Sequence, residues 1–455
     1  MRNTVHSVLL IFACLSVLAP PALQAQAPET PALDPEALAK QDIADLAAGR
    51  FDVVEAQYST QMAFALPKGK LAEAWNGLIA QAGAFKGIAD SNVRPAQGLQ
   101  LVTLTCTFEK AIVDTSFAFD RSGRLAGIDF ASHESGAAWV MPSYASPAAF
   151  KEQAVTVSFS HWQLPGTLTM PVGAGPFPAV VLVQGSGPQD QDETIGPNKP
   201  FKDLAWGLAN HGIAVLRYVK RTKQYGAASA DDPTKMTVDD ETINDARAAV
   251  SLLASQQRID PHHIYVLGHS LSAYLAPRIA AGDTQVAGLI LLAGNTRPIE
   301  QMAVEMIRYL VGAEHDPPDD AQKNIADVEA EARGIERPDL KPSDQVEFLG
   351  SQEYGAYWLN LRGYDPLAVA AHSTLPMFIL QGERDYQVTM TDFDGWKKGL
   401  TGHANVTFKS YPALNHLFMA GSGTSTPEEY GQPSHISGDV IGDIAAWIAA
   451  AGRTN

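Results

Sequence analysis

Short, uninterrupted apolar runs recur from about Val155 to the C-terminus, each followed by a stretch of helical character, and this rhythm constrains the fold more than any other feature. Residues 179–183, 264–267, 289–292 and 377–380 are apolar throughout, and 213–216 reads the same way. Runs of that length suit strands covered on both faces. Residues 202–210 read as a helix, and Thr237 with Asp240 resembles a capping box opening a helix that runs to about Leu253. Residues 406–411 read as the last strand and 440–449 as the closing helix. Strand and helix in alternation specify βαβ units around a mostly parallel sheet with helices on both faces, an α/β fold. Between Pro298 and Pro366 the strands stop. There Met302, Met306, Tyr309 and Leu310, then Tyr354, Tyr357 and Trp358, flank an acidic middle, so an insertion over about 298–366 is expected to form a helical cap. The same aromatics would also bury the insertion's own core.

The rest of the chain follows a different pattern. At 455 residues two domains are expected. Over about 33–132 the signals are helices first, with Leu71, Trp75, Leu78, Ile79 and Ala82 on one stripe. Alternating strands follow, through Val102 to Phe108, Val113 to Phe119, and a third around Ile128 and Phe130. Helices and then an antiparallel meander read as a small α+β domain. Residues 133–150, rich in Ser, Ala and Pro, read as a linker to a second domain over 151–453.

Residues 1–25 read as an export signal: Arg2, an apolar stretch from Val8 to Leu18 too short to span a bilayer, then small residues near Ala25. The mature protein is therefore expected in the periplasm or medium, with no stable membrane span. Two cysteines are present, Cys14 within the signal and Cys106 on an alternating strand, so Cys106 reads as a small core residue. Hydrophobic content of 45% and charged content of 18% describe a globular chain. A formal net charge of −17 without a basic run argues against a nucleic-acid partner. No His-Glu-x-x-His or paired Cys-x-x-Cys motif supports a metal site, and no cofactor is expected.

Gly268-His269-Ser270-Leu271-Ser272 sits directly after the apolar run 264–267 and before a helix-like stretch. That is the context of a nucleophile elbow, a tight strand-to-helix turn that exposes a serine hydroxyl. A serine needs a base, because its hydroxyl is a poor nucleophile at neutral pH. Asp385 follows the strand 377–380 and His416 follows the strand 406–411, giving the order nucleophile, acid, histidine. Asp385 would fix the imidazole tautomer and stabilise the imidazolium. Glu383, Asp392 and Asp394 are rival acids, and His403 and His435 rival histidines. The developing oxyanion needs preorganised donors, for which the backbone N–H groups of Leu271 and of Ser186, in the loop Gln184-Gly185-Ser186-Gly187-Pro188, are the candidates. The Gly-x-Gly in that loop lacks the third glycine and helix of a dinucleotide site. Asp190, Asp192 and Glu193 beyond it read as solvating the loop.

At these residues the chain resembles the exported bacterial esterase-like branch of the α/β-hydrolase superfamily, whose members carry a small N-terminal, cystatin-like domain. The strings that carry the resemblance are residues 183–190, Leu216-Arg217-Tyr218 with Lys220-Arg221, 268–271, 292–298, 382–388 and Asn415-His416. Three positions depart from the branch: Gln184 replaces a histidine, Val219 an aspartate, and Ser272-Ala273 a Gly-Gly pair. The resemblance implies a serine hydrolase acting on small-molecule carboxylic esters or thioesters through an acyl-enzyme on Ser270, with Asp385 and His416 completing the triad and Ser186 and Leu271 as oxyanion donors. An exported peptidase or amidase of the same fold, and a weakly catalytic binding protein, are the alternatives. The sequence leaves the oligomeric state open.

Overall fold

The computed structural model describes residues 34–452 except 60–61, 64–65, 67, 97–98, 133–138, 314–320 and 350; the expected export signal lies outside the described residues. The chain divides into two compact units with the boundary between Ser135 and Gly136.

In the first unit the helix Pro35–Ala47 starts at Asp34, whose carboxylate accepts from the N–H groups of Glu36 and Ala37. The helix Lys70–Ala82 buries Leu71, Trp75, Leu78 and Ala82, the expected stripe. Both contribute to one core with an antiparallel sheet in the order β1 (Phe85–Ala96), β2 (Leu99–Phe108), β3 (Ile112–Phe119) and β4 (Leu125–Ser132). β1 adds a strand to the three expected; Lys86, Asp90 and Arg94 interrupt its apolar pattern. Cys106 is fully buried on β2, and burial pushes its thiol pKa up to about 11.

The second unit is built on an eight-stranded sheet. It opens with an antiparallel pair, β5 (Phe150–Phe159) and β6 (Trp162–Pro171). Then come β7 (Phe177–Val183), β8 (Ala214–Tyr218), β9 (Ile259–His269) and β10 (Val286–Leu292). Two short strands, β11 (Gln345–Phe348) and β12 (Ser351–Tyr354), form a separate hairpin, and β13 (Met377–Gly382) and β14 (Val406–Tyr411) complete the sheet. The order is β14-β13-β10-β9-β7-β8-β6-β5, parallel from β14 to β8. Side chains alternate between faces. Ala179, Val181 and Val183 join a core with the helices Asn244–Ala254 and Leu271–Ala280, while Val180 and Leu182 join a second core with Pro200–Asn210 and Gly438–Ala451. A mostly parallel sheet clothed on both faces is the α/β-hydrolase architecture expected.

Three expectations need correction. Residues 139–149 do not run free as a linker: the Trp139 indole donates to Asp203 at 2.9 Å and its ring packs edge-on against Trp206. Strands do not stop in the insertion, because β11 and β12 pair within it; its described helices are Ile299–Ala313, Ala321–Glu336 and Gly355–Arg362. The Thr237–Asp240 box is present, Asp240 accepting from both the Thr237 N–H and hydroxyl at 3.1 Å, yet the turn that follows, Asp239–Ile243, is a π-turn rather than an α-turn.

Candidate active site

The sheet's topology fixes where chemistry can sit. From β7 the chain moves outward to β8 and then returns to β9 on β7's other side, so the connections leaving the carboxyl ends of β7 and β9 diverge. A crevice at such a switch point is where ligands bind in open α/β sheets. In register, Val183 pairs with Gly268, Leu292 with His269, and Gly382 with Tyr411, so the loops carrying the candidate residues all leave from this edge.

Ser270 follows β9 with φ 54° and ψ −118°, a left-handed conformation unusual for a side-chain-bearing residue. Its N–H donates to the Leu292 carbonyl at 2.9 Å, and its own carbonyl accepts from Tyr274 one helical turn on. Gly268 is required here: a Cβ on it would lie 2.2 Å from the Ser272 carbonyl oxygen. The helix begins at Leu271, whose N–H has no partner within the helix and is available to an anion.

The acid and the histidine meet. His416 Nδ1 lies 2.7 Å from Asp385 Oδ2, with both side chains buried. Asp385 Oδ1 accepts from the N–H groups of Gln387 and Val388, and Oδ2 also accepts from Gln381 Nε2 at 3.0 Å. A carboxylate only accepts, so this bond places the imidazole proton on Nδ1 and leaves Nε2 as the basic nitrogen. Asn415 fixes the loop by accepting from Leu417 and Met419 N–H. Four of the rivals are engaged elsewhere: Asp392 with Arg297, His435 with Asp203, Glu383 with Ser410 and Asp394 with Lys397.

Ser270 is tied to this pair through its neighbour. His269 Nε2 lies 3.0 Å from the His416 carbonyl oxygen, and the two rings are 4.7 Å apart. On its other side His269 Nδ1 approaches Glu193 Oε2 to 3.0 Å, an ion-pair contact out of hydrogen-bond alignment. Burial disfavours a charged His269 ring, but the Glu193 carboxylate and the His416 carbonyl outweigh it and hold its pKa above the ordinary value. Glu193 therefore does not solvate the loop. It is buried, at φ 51°, and its Oε1 accepts the Gly185 N–H at 2.6 Å. Asp192 is likewise paired with Arg217 and Lys199, while Asp190 caps the turn by accepting from Asp192 and Thr194 N–H.

Gly185 brings the loop after β7 against the elbow, since a Cβ built on it would lie 3.1 Å from Ser270 Cβ. Two of the positions that depart from the esterase-like branch meet here: the Ser272 hydroxyl donates to the Gln184 carbonyl, and the Gln184 amide donates to the Tyr218 carbonyl. The buried Lys220 ammonium donates to the Gly185 carbonyl at 2.7 Å and pairs with Glu241 at 2.5 Å. Glu193, His269, Lys220 and Glu241 thus join the site beyond the residues expected from the sequence. Ser186, on the same loop, is exposed.

Esterase EstD from Thermotoga maritima is 38% identical over 390 residues, covering 86% of this chain and 89% of that protein. A family model described as a protein of unknown function (DUF3887) matches residues 39–128. Among solved structures, Est1E from Butyrivibrio proteoclasticus is 16% identical with a TM-score of 0.43, covering 65% of this chain and 99% of that one. The esterase PF2001 from Pyrococcus furiosus is 16% identical with a TM-score of 0.41, covering 62% and 90%.

Proposed function

The chain belongs to the α/β-hydrolase esterase family that includes Esterase EstD of Thermotoga maritima, and from that premise we propose that it is a serine hydrolase cleaving carboxylic esters or thioesters through an acyl-enzyme on Ser270. Its substrate is a small-molecule ester. The observation that carries the mechanism is the buried Asp385–His416 bond at the edge of the sheet where Ser270 stands at a left-handed elbow. With the proton held on Nδ1, His416 Nε2 takes the hydroxyl proton as Ser270 Oγ attacks the acyl carbonyl. The tetrahedral oxyanion is met by the N–H groups of Leu271 and Ser186. As the oxyanion collapses, the bond to the leaving oxygen or sulfur breaks and that atom takes the proton from His416. Water, deprotonated by the same nitrogen, then adds to the acyl carbonyl; as that adduct collapses the bond to Ser270 Oγ breaks, Oγ takes the proton back from His416, and the acid is released.

Residues 1–25 are proposed to direct export, which sequencing of the mature N-terminus from a periplasmic fraction tests. The catalytic reading is tested by labelling with a fluorophosphonate probe and mapping the modified peptide, which is expected to carry the adduct on Ser270. Ser270→Ala is expected to lower hydrolysis of a nitrophenyl ester by roughly three to six orders of magnitude. Equal hydrolysis by the variant and the parent would remove the assignment. Faster turnover of aminoacyl amides than of esters would convert it to a peptidase.

A further inference from the structure

The peptide group joining Gly185 to Ser186 is one planar unit bearing two functional atoms, the Gly185 carbonyl oxygen and the Ser186 N–H. The Ser186 N–H is the proposed oxyanion donor. The Gly185 oxygen accepts from the Lys220 ammonium at 2.7 Å. The preceding peptide group is held at both ends as well, its N–H by Glu193 at 2.6 Å and its carbonyl by the Ser272 hydroxyl. Three of the four polar groups on these two peptides are thus held by buried side chains, and the fourth is the Ser186 N–H.

A buried ammonium is a costly way to satisfy one carbonyl, because a neutral amide or a water would do so without desolvating a charge. The charge does something more. A hydrogen bond from a charged donor is roughly twice as strong as a neutral one. Drawing electron density toward the carbonyl oxygen also polarises the peptide and makes the N–H at its other end a better donor. Lys220 stays compensated in the interior because Glu241 lies 2.5 Å from it, and Glu241 in turn accepts the Tyr357 hydroxyl at 2.7 Å.

The geometry points to Lys220 as a positioning residue for the oxyanion hole: through the Gly185 carbonyl it orients and polarises the peptide whose Ser186 N–H meets the tetrahedral intermediate. This role rests on the ester-hydrolysis reading above. It predicts that Lys220 acts on the transition state and not on substrate binding, which a merely structural ion pair would not do.

The experiment compares the parent with Lys220→Met, Lys220→Arg, the double variant Lys220→Met/Glu241→Gln and Ser270→Ala, using a nitrophenyl ester and a trifluoromethyl ketone that forms a tetrahedral oxyanion adduct. The double variant removes both charges of the Lys220–Glu241 pair and keeps an acceptor for Tyr357, so it covers the case in which Lys220→Met alone fails to fold. Removing a whole oxyanion donor costs roughly 10²–10³ in kcat, and weakening one should cost about ten- to a hundredfold. The expected result is that loss in kcat with KM within about twofold, ketone affinity weakened by the same factor as kcat/KM, and partial recovery in Lys220→Arg. A folded double variant with parental kcat and parental ketone affinity, beside an inactive Ser270→Ala, overturns the role of Lys220 alone. Ser270→Ala running at the parental rate overturns the hydrolysis reading and Lys220's role with it.

Discussion

His269 Nε2 lies 3.0 Å from the carbonyl oxygen of His416, so the residue before the elbow serine holds the backbone of the proposed base. With Glu193 on its opposite nitrogen, His269 links the β7 loop, the elbow and the histidine loop. His269→Ala would leave the Glu193 carboxylate buried without its imidazole. Breaking a buried pair in this way costs roughly 3–5 kcal/mol, and equilibrium urea unfolding is expected to register a loss of that size. The loss should also depend on pH. The folded pKa of His269 is raised, so its contribution is fully present below the ordinary unfolded value of about 6.5 and fades as pH rises through the higher folded value. A variant as stable as the parent at pH 6 would refute this linking role.

Asp385→Asn preserves much of the local geometry, because an amide oxygen can still accept from Gln387 and Val388 N–H. It also offers an N–H toward His416 Nδ1, which favours the wrong tautomer. The same N–H faces Gln381 Nε2, whose buried bond to Oδ2 is lost, so a turnover loss of about 10⁴ is expected together with a stability loss of about 1–3 kcal/mol. A loss below tenfold would show that Asp385 does not set the tautomer of the base.

How much of this was legible in the sequence follows from where each signal comes from. The central strands announce themselves because burial on both faces demands unbroken apolar runs, and Asp385 is visible because it follows one; His416 follows the edge strand β14, whose residues alternate. β5 is not visible: Lys151, Glu152 and Gln153 are exposed at the edge of the sheet, so that strand shows no apolar run. The four-residue strands β11 and β12 are too short to give a period. The buried charges were the least legible. Glu193 follows Asp190 and Asp192 in a loop that reads as solvated, and only the fold brings it to His269 and Gly185. Lys220 and Arg221 read as part of a family string. Their partners, Glu241 and Asp245, lie across a π-turn that no local pattern marks.

Ser272 stands where the esterase-like branch usually has glycine, and its hydroxyl donates to the Gln184 carbonyl in a fully buried setting. Ser272→Ala removes the hydroxyl without altering the turn. A buried carbonyl left without its donor costs about 1–3 kcal/mol, and thermal unfolding should show a drop of that order. Ester turnover should fall less than in the Lys220 variants, because the Gly185–Ser186 peptide keeps its own anchor. An unchanged melting temperature would mean that another donor reaches Gln184.

Glu353, on β12, is held in a half-buried setting near Glu241, and desolvation followed by repulsion from Glu241 raises its pKa to about 7. An acid whose folded pKa is raised favours the fold fully below its unfolded value and loses that contribution as pH climbs through the folded one. The parent should therefore lose stability between about pH 4.5 and 7 from this group, on the order of 2 kcal/mol after allowing for partial exposure. Glu353→Gln should flatten that part of the profile and be more stable than the parent at pH 8 by a similar amount. Parallel stability–pH curves for the two proteins would contradict this.

The N-terminal limit of the second unit can be placed by truncation. Trp139 donates to Asp203, a buried carboxylate that also takes the Ile436 N–H and lies beside His435, and burial raises the Asp203 pKa while these partners oppose it. Tyr144 adds a bond to the Ile436 carbonyl at 3.0 Å, and the Ser146 N–H donates to Asn210. A chain starting at Gly136 keeps all of these, whereas one starting at Ala148 loses the three residues together and leaves Asp203 with less compensation. Hydrogen bonds to charged groups are worth about 1.5–3 kcal/mol, so the shorter fragment should be less stable by at least roughly that amount. Both fragments retain Ser270, Asp385 and His416, so the longer one should hydrolyse a nitrophenyl ester at near the full-length rate. Equal stability of the two would mean that residues 139–147 are a tether after all, and that the fold of the second unit begins at β5.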